Sequence, residues 1–211
     1  MRRFLAAAFL CVTAVTLSGA RALPAAQFDM QQKAELDRVS AALNGIHAMQ
    51  GGFVQIDPSG GLVQGKFYIA KPGRIRFEYD PPTPTLIVSD GTTIAVKNTK
   101  LNTVDRYPLL STPLDIVLSD KLDLKNNDAV TGVEHEGASI IVKAVSTDSN
   151  VQGSITLVFS DPGLELRQWT VIDAQGLATT VALRDVEKGV SLSPALFILK
   201  DRNRFTKDDQ D

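Results

Sequence analysis

The chain is poor in the residues that build metal sites and disulfides: one cysteine, Cys11, and two histidines, His47 and His135, in 211 residues. The histidines are far apart in sequence and neither has a cysteine or histidine at ligand spacing, so a zinc site is not expected. Charge of one sign is lacking too. Lysine and arginine number 22 against 24 aspartates and glutamates, a net of -2. No basic surplus exists to neutralise a run of phosphates, which argues against a nucleic-acid partner. The G-x-S-x-G elbow, the phosphate-binding glycine loop, H-E-x-x-H and the calcium loop do not occur. Asp120, Asp123 and Asp128 surround Asn126-Asn127 without the glycine and closing glutamate of a calcium loop, and read as a solvated loop. His135, between Glu134 and Glu136 beside a turn, reads as a solvated histidine. No catalytic residue, metal or cofactor is assigned, and a hydrolase with an unrecognised site is the lesser hypothesis. What is present is the balance of a folded globular chain, 44% apolar and 22% charged.

The first residues read as an export signal. Met1-Arg2-Arg3 is a positive start, Phe4 to Leu17 an almost uncharged apolar run, and Ala20-Arg21-Ala22 an A-x-A cleavage site. The run is too short to span about 30 Å of hydrocarbon, which takes about 20 apolar residues. We therefore expect residues 1–22 to be removed, leaving 23–211 as one domain with a charged, frayed tail from Asp201. Cys11 leaves with the signal, so the mature chain forms no disulfide and rests on its core. Arg2, Arg3 and Arg21 leave as well, which makes the mature chain mildly acidic. A soluble periplasmic protein of a diderm bacterium is expected, monomeric and without a membrane span.

Apolar residues at helical spacing, Phe28, Leu36, Val39, Leu43 and Ile46, predict an amphipathic helix over 28–43. Asn44-Gly45 tolerates the left-handed conformation that ends helices. From Ile46 to about Leu109 short apolar runs alternate with turn residues such as Asp57-Pro58-Ser59-Gly60-Gly61, Lys71-Pro72-Gly73 and Asp80-Pro81-Pro82. This predicts an antiparallel meander. Thr112-Pro113 offers an N-cap and first residue for a two-turn helix. Strands are expected again over 129–135, 138–146, 153–160, 164–173 and 176–185.

A sheet of about ten strands twists and curls toward a barrel, which creates a concave face. Phe67 and Ile69 alternate with Lys66 and Tyr68, Ile75, Phe77 and Tyr79 with Arg74, Arg76 and Glu78, and Ile155, Leu157 and Phe159 with Ser154 and Thr156. One side of each strand is apolar and the other wet. One long helix and one short one are few for covering such a face, which leaves room for a ligand cavity. Alternation alone favours a plain core, because every half-buried sheet shows it.

The series Phe53-Val54-Gln55, then Gly65-Lys66-Phe67-Tyr68-Ile69-Ala70-Lys71-Pro72-Gly73-Arg74-Ile75-Arg76-Phe77, then Val88-Ser89-Asp90-Gly91 resembles the LolA-type periplasmic carriers of outer-membrane lipoproteins. The similarity spans nearly the whole mature chain. It implies a mainly β fold with a few α-helices, in which a curved antiparallel sheet forms an incomplete, unclosed barrel covered by helices. The implied cargo is a triacylated lipoprotein, received from an inner-membrane lipoprotein-releasing ABC transporter and passed to an outer-membrane lipoprotein receptor. On that reading Phe53, Phe67, Ile69, Ile75, Phe77, Leu86, Val88, Leu157, Phe159 and Trp169 line or flank the cavity, some of them as core, with Tyr79 near the rim. Lys71 stands where family members typically carry an arginine that holds the lid shut. Its point charge replaces a planar fork, and a plain turn lysine is the equal alternative. A glycolipid carrier, a sensor of mislocalised lipoproteins or a receptor-like protein of the same fold remains open.

Overall fold

The computed structural model describes residues 27–112, 114–146 and 153–199; the expected signal peptide, Cys11 and the charged tail lie outside them. Helix α1, Met30–Asn44, opens the fold. Asp29 caps it by accepting from the Gln32 backbone N–H, and the Gln32 side chain returns the bond to the Asp29 N–H. Six strands follow as a meander: β1 Ala48–Ile56, β2 Leu62–Ala70, β3 Arg74–Tyr79, β4 Thr85–Asp90, β5 Thr93–Asn98 and β6 Thr103–Pro108. A crossing segment carries a 3-10 turn at Leu109–Ser111, the short helix α2 at Asp115–Leu118 and a second 3-10 turn at Leu124–Asn126. A second meander comprises β7 Val130–Glu136, β8 Ser139–Val145, β9 Ser154–Ser160, β10 Leu166–Ile172 and β11 Ala178–Lys188.

All neighbouring strands are antiparallel and form one eleven-stranded sheet in the order β6-β5-β4-β3-β2-β1-β11-β10-β9-β8-β7. The first and last strands meet at its centre, and β6 and β7 are its two ends, so the barrel is unclosed among the described residues. Glycine permits close packing at the centre. Phe53 faces Gly65 across β1 and β2, and Gly51 faces Phe67. A Cβ on Gly65 would stand 2.8 Å from the Phe53 ring, and one on Gly51 2.9 Å from the Phe67 ring. The rings lie in the space the missing side chains leave.

Three local expectations change. Helix α1 ends at Gly45, but Gly45 has φ −71°, and the end is held by the Gly45 N–H bonding back to the Ala41 carbonyl and the Ile46 N–H to the Leu43 carbonyl. The expected two-turn helix after Thr112 is a single turn, Asp115–Leu118, and the Thr112 hydroxyl donates back to the Leu109 carbonyl instead of capping forward. The segment after β11, to which the sequence pattern assigned no element, forms a 3-10 turn at Pro194–Phe197 and buries Phe197. It lies on the outer side of the sheet, with Arg74 stacked 5.6 Å over the Phe197 ring and Arg76 donating to the Leu196 carbonyl at 3.0 Å.

Candidate functional site

Cross-strand register defines the concave face. Residues opposite one another share a side of the sheet, so the pairs Ile69 with Ile75, Phe67 with Phe77, Gly65 with Tyr79, and Phe77 with Ile87 continue one inward row through β2, β3 and β4. Ile87 continues to Val96 and Ser89 to Ile94 on β5. On the other half, Val181 faces Trp169, Trp169 faces Leu157, and Leu157 faces Val142. Phe77 is the hub of the middle: its ring meets Phe53 edge-on at 5.0 Å, stacks on Phe67 at 6.0 Å and meets Trp169 edge-on at 6.1 Å.

This face is only partly filled. A cavity of about 370 Å³ runs between Ile75, Phe77, Ile87, Ile94 and Val96 on one wall and Trp169, Val171 and Val181 on the other. Leu114, just before α2, contributes to its lining. The volume falls toward the lower end of the ~300–1,000 Å³ usual for small-molecule sites. Its polar groups are few. The Ser111 and Thr112 hydroxyls are engaged with the carbonyls of Pro108 and Leu109, and the Tyr79 hydroxyl donates to Gln55 Oε1 at 2.6 Å. Burial pushes the Tyr79 phenol up to about 12, against the Gln55 hydrogen bond, so the group stays protonated.

One turn of the sheet meets both covering helices. Between β2 and β3, the Lys71 ammonium donates to the Leu43 carbonyl in the last turn of α1 at 2.9 Å. Two residues on, the Gly73 N–H donates to the Leu118 carbonyl that ends α2, at 3.0 Å. One turn therefore satisfies a C-terminal carbonyl of each covering helix. Lys71 is only 9% exposed. Burial lowers its ammonium to about 8, with Asp120 pulling the other way. Further clasps hold α1. Asn44 exchanges two hydrogen bonds with the Leu122 backbone at 2.9 and 2.8 Å. Arg38 pairs at 2.8 Å with Asp161, whose carboxylate also lies 3.1 Å from His135 Nε2.

The expected cavity residues separate into three groups. Ile75, Phe77, Tyr79 and Trp169 line the cavity. Phe53, Phe67, Ile69, Leu157 and Phe159 point to the same side but are at most 2% exposed and form the core around it. Leu86 and Val88 are corrections: they pair with Glu78 and Arg76 and face outward. Val88 borders a groove with Phe197, and Leu86 one with Leu196. The reason is that β4 is apolar on both faces, Leu86-Ile87-Val88, because the C-terminal segment covers its back, and such a run carries no phase. Ile87, Ile94, Val96, Leu114, Val171, Val181 and Gln55 were not singled out. For Ile87 the missing signal was pairing register; for Val171 and Val181, it was that β11 borders β1 and β10 borders β11. No His, Cys, Asp or Glu cluster suited to a metal occurs among the described residues, and none of their helices is long and apolar enough to cross a membrane.

Comparison with known proteins finds a family match and relatives. The model of the family described as outer membrane lipoprotein carrier protein LolA matches residues 44–200. The outer-membrane lipoprotein carrier protein of Methylococcus capsulatus (strain ATCC 33009 / NCIMB 11132 / Bath) is 27% identical over 169 residues, 76% of this chain and 80% of that protein. Among solved structures, an uncharacterized conserved protein from Thermus thermophilus superposes with a TM-score of 0.45 and 16% identity, covering 85% of this chain and 98% of its own. A LolA superfamily protein from Nitrosomonas europaea gives 0.44 and 10%, covering 78% and 97%. Because the family match runs over every strand of the sheet, the chain belongs to the LolA family of outer membrane lipoprotein carrier proteins.

Proposed function

We propose that the chain is a periplasmic carrier that shelters the acyl chains of lipoproteins between the sheet and its helical roof. It receives them from an inner-membrane ABC transporter and delivers them to an outer-membrane receptor. The periplasmic placement rests on the signal-like residues 1–22 and on the family. The observation that carries the reading is the hollow itself: an apolar cavity of about 370 Å³ between the two halves of an unclosed sheet.

The physics of a shuttle fits that hollow. Each methylene taken from water is worth ~0.8 kcal/mol, so a chain of about sixteen carbons gains on the order of 12 kcal/mol gross on burial. Free lipid does not cross water unassisted, and a carrier that hid all of it in a sealed site would not release it. A small cavity under a movable roof holds part of the lipid at rest and admits more when the roof lifts. Lys71 suits such a roof, because its buried ammonium weakens the latch it makes.

Native mass spectrometry of the protein from its own periplasm tests the reading. The expected species is the chain with a triacylated lipoprotein bound, and depletion of the protein should hold outer-membrane lipoproteins at the inner membrane. Copurification of glycolipid alone would replace the cargo, and turnover in esterase or glycosidase assays abolished by one serine or carboxylate substitution would replace the reading.

A further inference from the structure

The cavity has two unlike ends. Toward the turn at Lys71 it is walled by Ile75 and Ile94, with the half-exposed Tyr107 and the already engaged Ser111 and Thr112 hydroxyls at its margin. At the other end of the same strands lie Gln55, Tyr79, Thr179 and Asp173. The sequence along β3 makes the gradient plain, since Ile75, Phe77 and Tyr79 are successive inward residues. An amphiphile lowered into such a channel places its hydrocarbon toward Ile75 and its first polar atoms beside Tyr79.

What waits there is a hydrogen-bond donor. The Tyr79 hydroxyl donates to Gln55 Oε1, and among the described residues no partner engages the Gln55 Nε2 hydrogens. Turning the amide over would not change the sign of the site: Nε2 would then donate to the tyrosine oxygen, and the phenolic proton would be the one left available. Phe53 packs edge-on against the Tyr79 ring at 5.0 Å and fixes the phenol from behind. The other polar groups at this end differ in kind. Asp173 is exposed and accepts only, and Thr179 offers a lone hydroxyl, partly exposed as Gln55 and Tyr79 also are.

We propose that the Tyr79–Gln55 pair is a recognition site for the carbonyl oxygen of an acyl ester or amide, so that the cavity selects acylated glycerol over bare alkyl chains of the same length. The inference rests on the carrier reading and gives it a chemical class of ligand. A carbonyl is an acceptor with no donor of its own, which matches a site whose spare valence is an N–H or O–H in apolar surroundings.

The test compares two probes of equal chain length, didecanoylglycerol, with ester carbonyls, and the dialkyl ether that lacks them. Trp169, the single tryptophan of the chain, lines the cavity and reports binding by its fluorescence. Wild-type protein should bind the ester roughly three- to tenfold more tightly, the ratio one neutral hydrogen bond supports. Each single substitution, Tyr79→Phe or Gln55→Met, keeps one donor, so the double variant is decisive. It should bind both probes alike. Equal affinities in the wild type, a comparison that involves no variant, would overturn the proposal while leaving the carrier reading intact. So would an ester preference that survives in the double variant. Failure of both probes to bind would remove the carrier reading, and this proposal with it.

Discussion

The two flanks of the concave face carry the same alternation and end differently. Toward β7, β8 and β9 the inward side chains Val133, Ile140, Val142, Leu157 and Phe159 are all buried, with Leu36, Val39 and Leu43 of α1 in the same core cluster. Toward β4 and β5 the inward Ile87 and Val96 stay partly exposed. The strands are equally apolar, so the contrast comes from the cover. A helix of 15 residues serves one flank, and the lining of the other is completed from the crossing segment by Ser111, Thr112 and Leu114, beside a helix of four. A half-buried strand becomes core or binding wall according to what lies above it.

The largest effect should come from emptying the packed middle. Phe53 is fully buried between Phe77, Tyr79 and the Gly65 backbone, and Phe53→Ala should cost about 3–5 kcal/mol in urea unfolding. Ile87→Ala removes an inward side chain that already faces a void and should cost about 1 kcal/mol. Equal losses at the two positions would mean that the hollow flank is packed in solution.

The latch between the flanks comes next. An unfolded lysine holds its proton up to about 10.5, whereas folded Lys71 releases it from about 8. Between these values the unfolded chain binds more protons, so Lys71 makes stability rise with pH, by up to about 3 kcal/mol across the full interval. That increment is lost as pH falls to 8 and stays absent below. Above pH 10 the Tyr79 phenol, raised to about 12, acts with the opposite sign. The clean window is pH 8 to 10. Urea midpoints there should rise for wild type and stay flat for Lys71→Met, and amide exchange in the last turn of α1 should be faster in the variant. An unchanged slope would identify Lys71 as an ordinary turn lysine.

Binding separates the flanks at smaller energy. Ile87→Glu places a carboxylate on the half-exposed wall, where it remains hydrated in the empty protein and must be desolvated by an incoming acyl chain. Affinity for a decanoyl probe should fall by about tenfold or more while the urea midpoint barely moves. A coincident collapse of stability would place Ile87 in the core.

Phe77 shows how far the sequence alone reached. Alternation put it on the apolar side of its strand. Its contacts with Phe53, Phe67 and Trp169 make it part of the core as well as of the wall. The strands, their turns, the leading helix and the antiparallel meander were legible, because each leaves a local period or a turn residue, whereas the unclosed barrel came only through the resemblance. The hollow was not, since a void is a relation between distant segments. Lys71 was legible only through the resemblance; nothing local shows that a turn lysine will meet the Leu43 carbonyl. Leu86 and Val88 were misplaced where the period vanished, and the segment that hid it, around Phe197, carries no regular pattern itself.

The smallest expected effect lies at the far clasp of α1. Asp161 accepts from Arg38 at 2.8 Å and lies 3.1 Å from His135. The Arg38 hydrogen bond holds its carboxyl below the usual carboxylate range, with burial opposing and the Arg38 and His135 charges adding to the lowering. A carboxylate lowered on folding contributes stability above its unfolded pKa and loses it as pH falls through the folded one. Its share is therefore present at neutral pH and disappears only in acid, below about pH 4. Because the pair is solvated, Asp161→Asn should leave the neutral urea midpoint nearly unchanged and shift the acid limb of unfolding slightly upward in pH. Amide exchange should quicken in the middle of α1, near Arg38, and leave the end held by Lys71 as it was. Faster exchange along the whole helix would show that the roof moves as one body, with the Asp161 and Lys71 contacts acting together and not separately at its middle and its C-terminal end.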